Sequence, residues 1–204
     1  MVMKRINTIP NTINHACTTI KMQYQQRLPL LITLILTVTM LFQLCGCTTI
    51  NTSRQSIALP HNSRIGIGLF NNNTDVPQAG YRARSIVAGL IAAKGLTRQM
   101  TYKSKSTCNQ LIACPNNQPS MKDMMAWGRH YRLDWIMLGS VNEWEYKVGL
   151  DGEPAAAVTL ELYQVNTGKL VWSAVGSKYG TSRSGLGNTA QELLQTMIQP
   201  LRII

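Results

Sequence analysis

The 204-residue chain carries 20 Lys and Arg against 9 Asp and Glu, a formal net charge of +11. Four of those cations precede residue 47 and all the acids follow it, so a chain starting at Cys47 has 158 residues and a net charge of about +7, which fits one ordinary domain. Such a balance points to anionic lipid head groups or cell-wall polymers, or to no more than a solvated basic surface. Nucleic acid is set aside because of what the first 47 residues imply.

Residues 28–44, LPLLITLILTVTMLFQL, form an apolar run of 17 residues. As a helix it spans about 25 Å, against about 30 Å for a bilayer core. It is therefore short for a membrane span and suited to a signal sequence, with Lys21 and Arg27 as its positive flank. Leu44-Cys45-Gly46-Cys47 then reads as a lipoprotein cleavage box, with Cys47 as the lipidated residue. Cys45 is unusual within such a box, and an uncleaved membrane anchor is the alternative. On this reading residues 1–46 are a removed signal peptide with a long leading segment, and Met22 is an alternative start to Met1. Thr48 stands where Asp would mark inner-membrane retention in lipoprotein families, so the expected address is the periplasmic face of the outer membrane. An exported lipoprotein does not ordinarily meet nucleic acid.

Residues 47–63 read as the lipidated Cys and a polar tether, and 64–204 as a single α/β domain. Arg64 to Phe70 alternates like a strand. Residues 71–80 are a loop. Ala83, Val87, Leu90 and Ile91 recur at helical spacing, and Gly95 closes that helix. Leu96 to Tyr102 is a second strand. Cys108 and Cys114 are close in sequence and, outside the cytoplasm, read as a disulfide with about 2.4 kcal/mol of loop-entropy stabilisation. Their spacing to His61 and His130 does not suit a zinc site, and no metal or cofactor is expected.

Ser120 and Asp123 make a capping box for a second helix with Met121, Met124, Met125 and Gly128 inward. A long strand follows from Leu133 through Trp144, then a turn at Asp151-Gly152. Ala156, Val158, Leu160 and Leu162 alternate in the next strand, and Asn166 to Lys169 turns the chain into the strand from Leu170. Ala190, Leu193, Leu194, Met197, Ile198 and Leu201 mark a last helix, with Thr189 and Glu192 as its capping box and Pro200 at its end. The order β-α-β-α-β-β-β-α predicts an α/β (α+β) mixed sheet with flanking helices.

Little in the sequence carries catalytic chemistry. Gly66-x-Gly68 lacks a third glycine and a following helix, and no nucleophile with a base stands out, so no enzyme is expected. One segment differs: residues 142–154, NEWEYKVGLDGEP, hold four of the nine acids, Glu143, Glu145, Asp151 and Glu153. Strict alternation places Val141, Glu143 and Glu145 on one face and Asn142, Trp144 and Tyr146 on the other. Either the aromatics are core and the acids a solvated face, or the acids line a surface that a cationic polymer passes.

Phe70-x-Asn72-x-Thr74, Pro77-x-Ala79-Gly80-x-Arg82-Ala83, the run from Gly139 through Asn142-Glu143-Trp144-x-Tyr146-Lys147-Val148-Gly149 to Ala155, and Val171-Trp172-Ser173-Ala174 together resemble the PelC-like outer-membrane lipoproteins of Pel exopolysaccharide export. The first piece is shared with other periplasmic lipoproteins. The resemblance covers roughly 64–200. It implies a homo-oligomeric ring of twelve subunits whose acidic surface guides a cationic polysaccharide to an outer-membrane β-barrel channel, at a membrane of anionic lipid. Glu143, Glu145, Asp151 and Glu153 are then the polymer-guiding candidates. Trp144, Trp172 and Tyr179 are the aromatic candidates for the membrane side. The alternative is a periplasmic binding module that activates a peptidoglycan synthase.

Overall fold

The computed structural model describes residues 29, 32–37, 48–52, 56–103, 119–148 and 152–204. The chain divides into two compact units, Met1–Cys45 and Gly46–Ile204. In the first, residues 32–37 are helical. Among the described residues no helix is long and apolar enough to cross a membrane. Cys47, Cys108, Cys114 and Asp151 lie outside the described residues.

The second unit is built on a six-stranded sheet in the order β1-β7-β6-β5-β3-β4. The strands are β1 (Thr48–Thr52), β3 (Ile65–Asn72), β4 (Gln99–Thr101), β5 (Trp135–Tyr146), β6 (Pro154–Gln164) and β7 (Leu170–Tyr179). A two-stranded parallel ladder joins β2 (Ala58–Leu59) to β8 (Arg202–Ile203). The helices are α1 (Ala79–Ala93), α2 (Met121–His130) and α3 (Leu186–Ile198). The sheet is mixed: β3 runs parallel to β4 and β5, while β5, β6, β7 and β1 alternate in direction. From β3 to α3 the element order is the one the periodicity predicts.

Two apolar layers hold this arrangement. On one face α1 and α3 bury Ala83, Val87, Leu193, Leu194 and Met197 against Met137, Val158, Leu160 and Trp172. Each large side chain removed from water in this way stabilises the fold by about 1.5–3 kcal/mol. On the other face α2 packs Met124 and Met125 with Ile136, Leu133 and Val165. Gly66 and Gly68, the incomplete nucleotide-loop pattern, serve this second layer. A Cβ on Gly66 would stand 2.6 Å from Leu133 and Trp127, and one on Gly68 would stand 2.3 Å from Leu138.

Several sequence expectations change. Residues 48–52 are not free tether: β1 pairs antiparallel with β7, and Ile50 packs against the main core. The unpaired edge of β7 and one apolar side chain draw this polar segment into the sheet. β2 likewise lies within the expected tether and pairs with β8. α1 begins at Ala79, inside the expected loop, with Ala79 and Gly80 buried. Gly95, at φ 103°, does close it. α2 carries the expected capping box, Asp123 N–H to Ser120 Oγ at 3.2 Å and Ser120 N–H to Asp123 Oδ2 at 2.9 Å. Its Met121 is exposed rather than inward. α3 starts three residues before Thr189, with Gly185 as N-cap and no side-chain cap. Thr189 Oγ1 instead donates back to Gly185 O at 3.2 Å, and Glu192 pairs with Lys178 on β7 at 2.8 Å.

Candidate functional site

The acidic segment occupies one end of the sheet. β5 rises to Tyr146, and the hairpin back to β6 is closed by Lys147 N–H donating to Glu153 O at 2.8 Å. Tyr146 reaches across to α3, where its hydroxyl oxygen accepts the Leu186 N–H at 3.0 Å. β7 ends beside the same hairpin, with Gly180 N–H donating to Pro154 O at 2.8 Å. Tyr179, opposite Ala155, is partly exposed here, and Val148 is fully exposed. β1 also starts at this end, since Thr48 pairs with Lys178.

A bulge decides which way the acids face. The pairing of β5 with β6 shifts register between Val141 and Glu143. Val141 and Trp144 therefore both enter the core, while Glu143 and Glu145 lie on the opposite face. The strict alternation that placed Val141 with the glutamates is corrected by this one extra residue, Asn142. The bulged side chain is tied down on both sides. Its Oδ1 accepts from Asn73 Nδ2 at 2.9 Å, and its Nδ2 donates to Thr159 Oγ1 at 3.2 Å.

Lys147 sits between the two glutamates. Its ammonium pairs with Glu143, and with Glu145 Oε1 at 2.8 Å. Hydrogen bonding first to Glu143 and then to Glu145 holds the Lys147 pKa above its ordinary value. One cation thus offsets half of the formal charge of the pair. Glu153 is exposed on the hairpin. Among the described acids of this segment, two are therefore bridged by Lys147 and Glu153 is exposed, while Asp151 is outside the described residues.

Trp144 and Trp172 are 2% and 1% exposed and belong to the core. Neither can offer a ring to a membrane in this fold, because their indoles fill the layer under α1 and α3. Of the three aromatic candidates, only Tyr179 reaches the surface. Tyr146 and Val148, at the same end, were missed as exposed apolar groups. The signal for Lys147 as a counter-ion was available, because a residue two positions on from Glu145 shares its face of a strand.

A further acid that sequence reasoning passed over is Glu161. It lies on the same sheet face as the glutamates, in the wall of a cavity of about 380 Å³ lined also by Asn71, Asn73, Ser140, Thr159 and Met124. Tyr163 Oη donates to Glu161 Oε2 at 3.1 Å. Burial, and then the Glu161 charge, push the Tyr163 phenol up to about 12. Among the described residues no group of three or more His, Cys, Asp or Glu gathers to hold a metal. His130 is exposed at the end of α2, edge-on to Tyr131. What this end offers chemically is charge, hydrogen-bonding groups and a few exposed apolar side chains.

The fold and this end define an α+β domain with a mixed sheet, α1 and α3 on one face, and an acidic hairpin beside the start of its edge strand β1. It is similar to the PelC dodecamer from Paraburkholderia phytofirmans, with 31% identity over 78% of this chain and 99% of that one, at a TM-score of 0.66. A single-residue variant of that protein matches at the same identity and TM-score, with all of its chain covered. The C-terminal domain of LpoB from Salmonella enterica also matches, at 15% identity, 58% and 84% coverage, and a TM-score of 0.41. No family model and no curated protein matches the sequence. The chain belongs to the PelC family.

Proposed function

We propose that this chain is a non-enzymatic, lipid-anchored subunit of a Pel-type exopolysaccharide export apparatus. It assembles into a periplasmic ring at the outer membrane; its relative from Paraburkholderia phytofirmans is a dodecamer. The ring's acidic surface guides a cationic polysaccharide towards an outer-membrane β-barrel. The observation that carries this reading is the match over nearly the whole of a relative that is itself a dodecamer.

The geometry supports an orientation for it. Thr48, which follows the proposed lipid anchor in sequence, pairs with Lys178 beside Tyr179 and the hairpin. Tyr179, Tyr146 and Val148 then face the lipid, with Arg183 nearby in the loop before α3 to meet anionic head groups. Cys108 and Cys114 are proposed to pair by disulfide outside the cytoplasm.

A polymer in transit must be attracted without being held. Exposed ion pairs contribute only ~0.2–1 kcal/mol each and weaken with salt. Glu153, exposed on the hairpin, and Asp151 are the foremost guiding candidates. Glu143 and Glu145 act with reduced charge because Lys147 bridges them.

Two measurements test this. Native mass spectrometry of the lipidated protein in mild detergent should give a closed assembly of many subunits. A monomer under several detergents would sink the ring and favour a module that activates a peptidoglycan synthase. Charge reversal of Asp151 and Glu153 should lower exported polymer at unchanged protein level. Unchanged export would remove these residues from the guiding surface.

A further inference from the structure

The charge of the domain is sorted along its strands. The end that holds the hairpin also holds the start of β1. At the opposite end lie the starts of β3, β4, β5 and β7 and the C-termini of the three helices. That end carries Arg64 before β3, Lys94 capping α1, and Arg98 before β4. It also carries Arg129 and Arg132 around the end of α2, Lys169 before β7, and Arg202 in β8. Seven cations are thus gathered there. The acid among them is Asp134, whose carboxylate accepts the Arg64 backbone N–H at 2.7 Å. Over the remaining described residues of the domain, seven Lys and Arg are matched by seven Asp and Glu. The net charge of the described domain therefore resides at this pole.

Among the described residues no carboxylate forms an ion pair with these cations. Among the described residues, the ion pairs involve Lys147 and Lys178, neither of them at this pole. Lys94 Nζ donates to Gln199 O at 3.2 Å and Arg98 Nη1 to Asn62 O at 3.2 Å, contacts that orient the side chains and leave the charge uncompensated. All but Arg64 are exposed. They come from element ends on both sides of the sheet, α1 on one face and α2 on the other. A compact anion needs donors that converge. An arrangement spread over the width of a domain suits a polymer with anions at intervals. Like charges crowded together repel one another, a cost that a polyanion relieves.

We propose that this basic pole docks the domain on the anionic glycan–peptide polymer of the cell wall. The inference rests on the reading that Cys47 is lipidated at the outer membrane, which turns this pole towards the wall. Twelve residues of β5 separate the two ends, about 40 Å at the rise of an extended strand. Anchor and pole then engage two different layers, and the hairpin stays at the membrane side. Each contact is screened over about 8 Å at physiological salt, so binding is multivalent and salt-dependent.

The test is co-sedimentation of the full lipidated protein, in mild detergent, with purified cell-wall sacculi across a salt series. The pole variant is Arg129→Glu, Lys169→Glu and Arg202→Glu together. The control is Arg82→Glu, Lys103→Glu and Lys122→Glu, exposed residues outside the pole with the same change in net charge. The wild type should sediment at low salt and be released as salt rises. The pole variant should lose at least tenfold in retention and the control less than twofold. A wild type that stays in solution at low salt overturns the proposal, as does equal loss in both variants. Capture on polyglutamate beads without capture on sacculi would also overturn it and assign the pole to an acidic protein. Circular dichroism verifies folding, and Arg→Gln and Lys→Gln versions at the same positions replace any variant that misfolds. Native mass is read on the same samples. A monomer that sediments removes the ring and keeps the pole, and a ring that does not sediment does the reverse.

Discussion

Val141 and Trp144 are three residues apart on β5 and enter the same core, which an unbroken strand forbids. The bulge at Asn142 makes it possible. It also puts Glu143 and Glu145 on the opposite sheet face within reach of Lys147. The orientation of the acidic segment thus depends on one inserted residue.

Deleting Asn142 should force Val141 or Trp144 out of the core. Losing a large buried aromatic costs about 3–5 kcal/mol, so the deletion should unfold at far lower denaturant or not fold. Asn142→Ala keeps the residue count and removes two hydrogen bonds, each contributing about 1 kcal/mol. Equal stabilities by chemical denaturation would show that the bulge is dispensable.

Gly80, at the start of α1, lies against β3: a Cβ there would meet Phe70 O at 2.3 Å. Gly80→Ala should therefore destabilise by about 1–3 kcal/mol as backbone shifts to make room. Gly89, exposed in the same helix, has no atom within 4 Å of an added Cβ. Gly89→Ala should gain about 0.5–1 kcal/mol from helix propensity. Thermal melts of the two variants should move in opposite directions.

Lys147→Met should lower stability, and the difference should depend on pH with a definite sign. The folded-state pKa of Lys147 lies above its unfolded value of about 10.4. The stabilisation from Glu143 and Glu145 is fully present below that value and is lost as pH rises through the folded pKa. Unfolding curves of the two proteins should differ from neutral pH to about 10 and converge above it, and added salt should narrow the gap. A gap that widens with alkali would contradict the bridge.

Tyr163 should titrate late. Its phenol, pushed up to about 12 by burial and Glu161, should give a late phase in ultraviolet absorbance above the ordinary tyrosine value of about 10 while the fold persists. Tyr163→Phe should remove that late phase, and Glu161→Gln should shift it down. Because the folded pKa is raised, its contribution to stability is present below about pH 10 and is lost as pH climbs through about 12.

Local pattern was enough for much of the fold. Ala190, Leu193, Leu194, Met197, Ile198 and Leu201 recur at helical spacing, and all six are buried. The Ser120–Asp123 cap and the alternation from Ala156 to Leu162 were equally direct, because each is written within a few neighbouring residues. The acidic run at 142–154 was visible for the same reason. Tertiary structure decided what depends on distant partners. Thr48–Thr52 looks like polar tether until β7 offers an unpaired edge. Trp144 and Trp172 look available to a membrane until α1 and α3 cover them. The basic pole comes from seven positions between Arg64 and Arg202 that form no charge run in sequence. A parallel sheet start and helix C-termini bring them to one end, since strands and crossover helices run in opposite directions. Periodicity reports which side of an element is apolar; only the packed chain determines what that side meets.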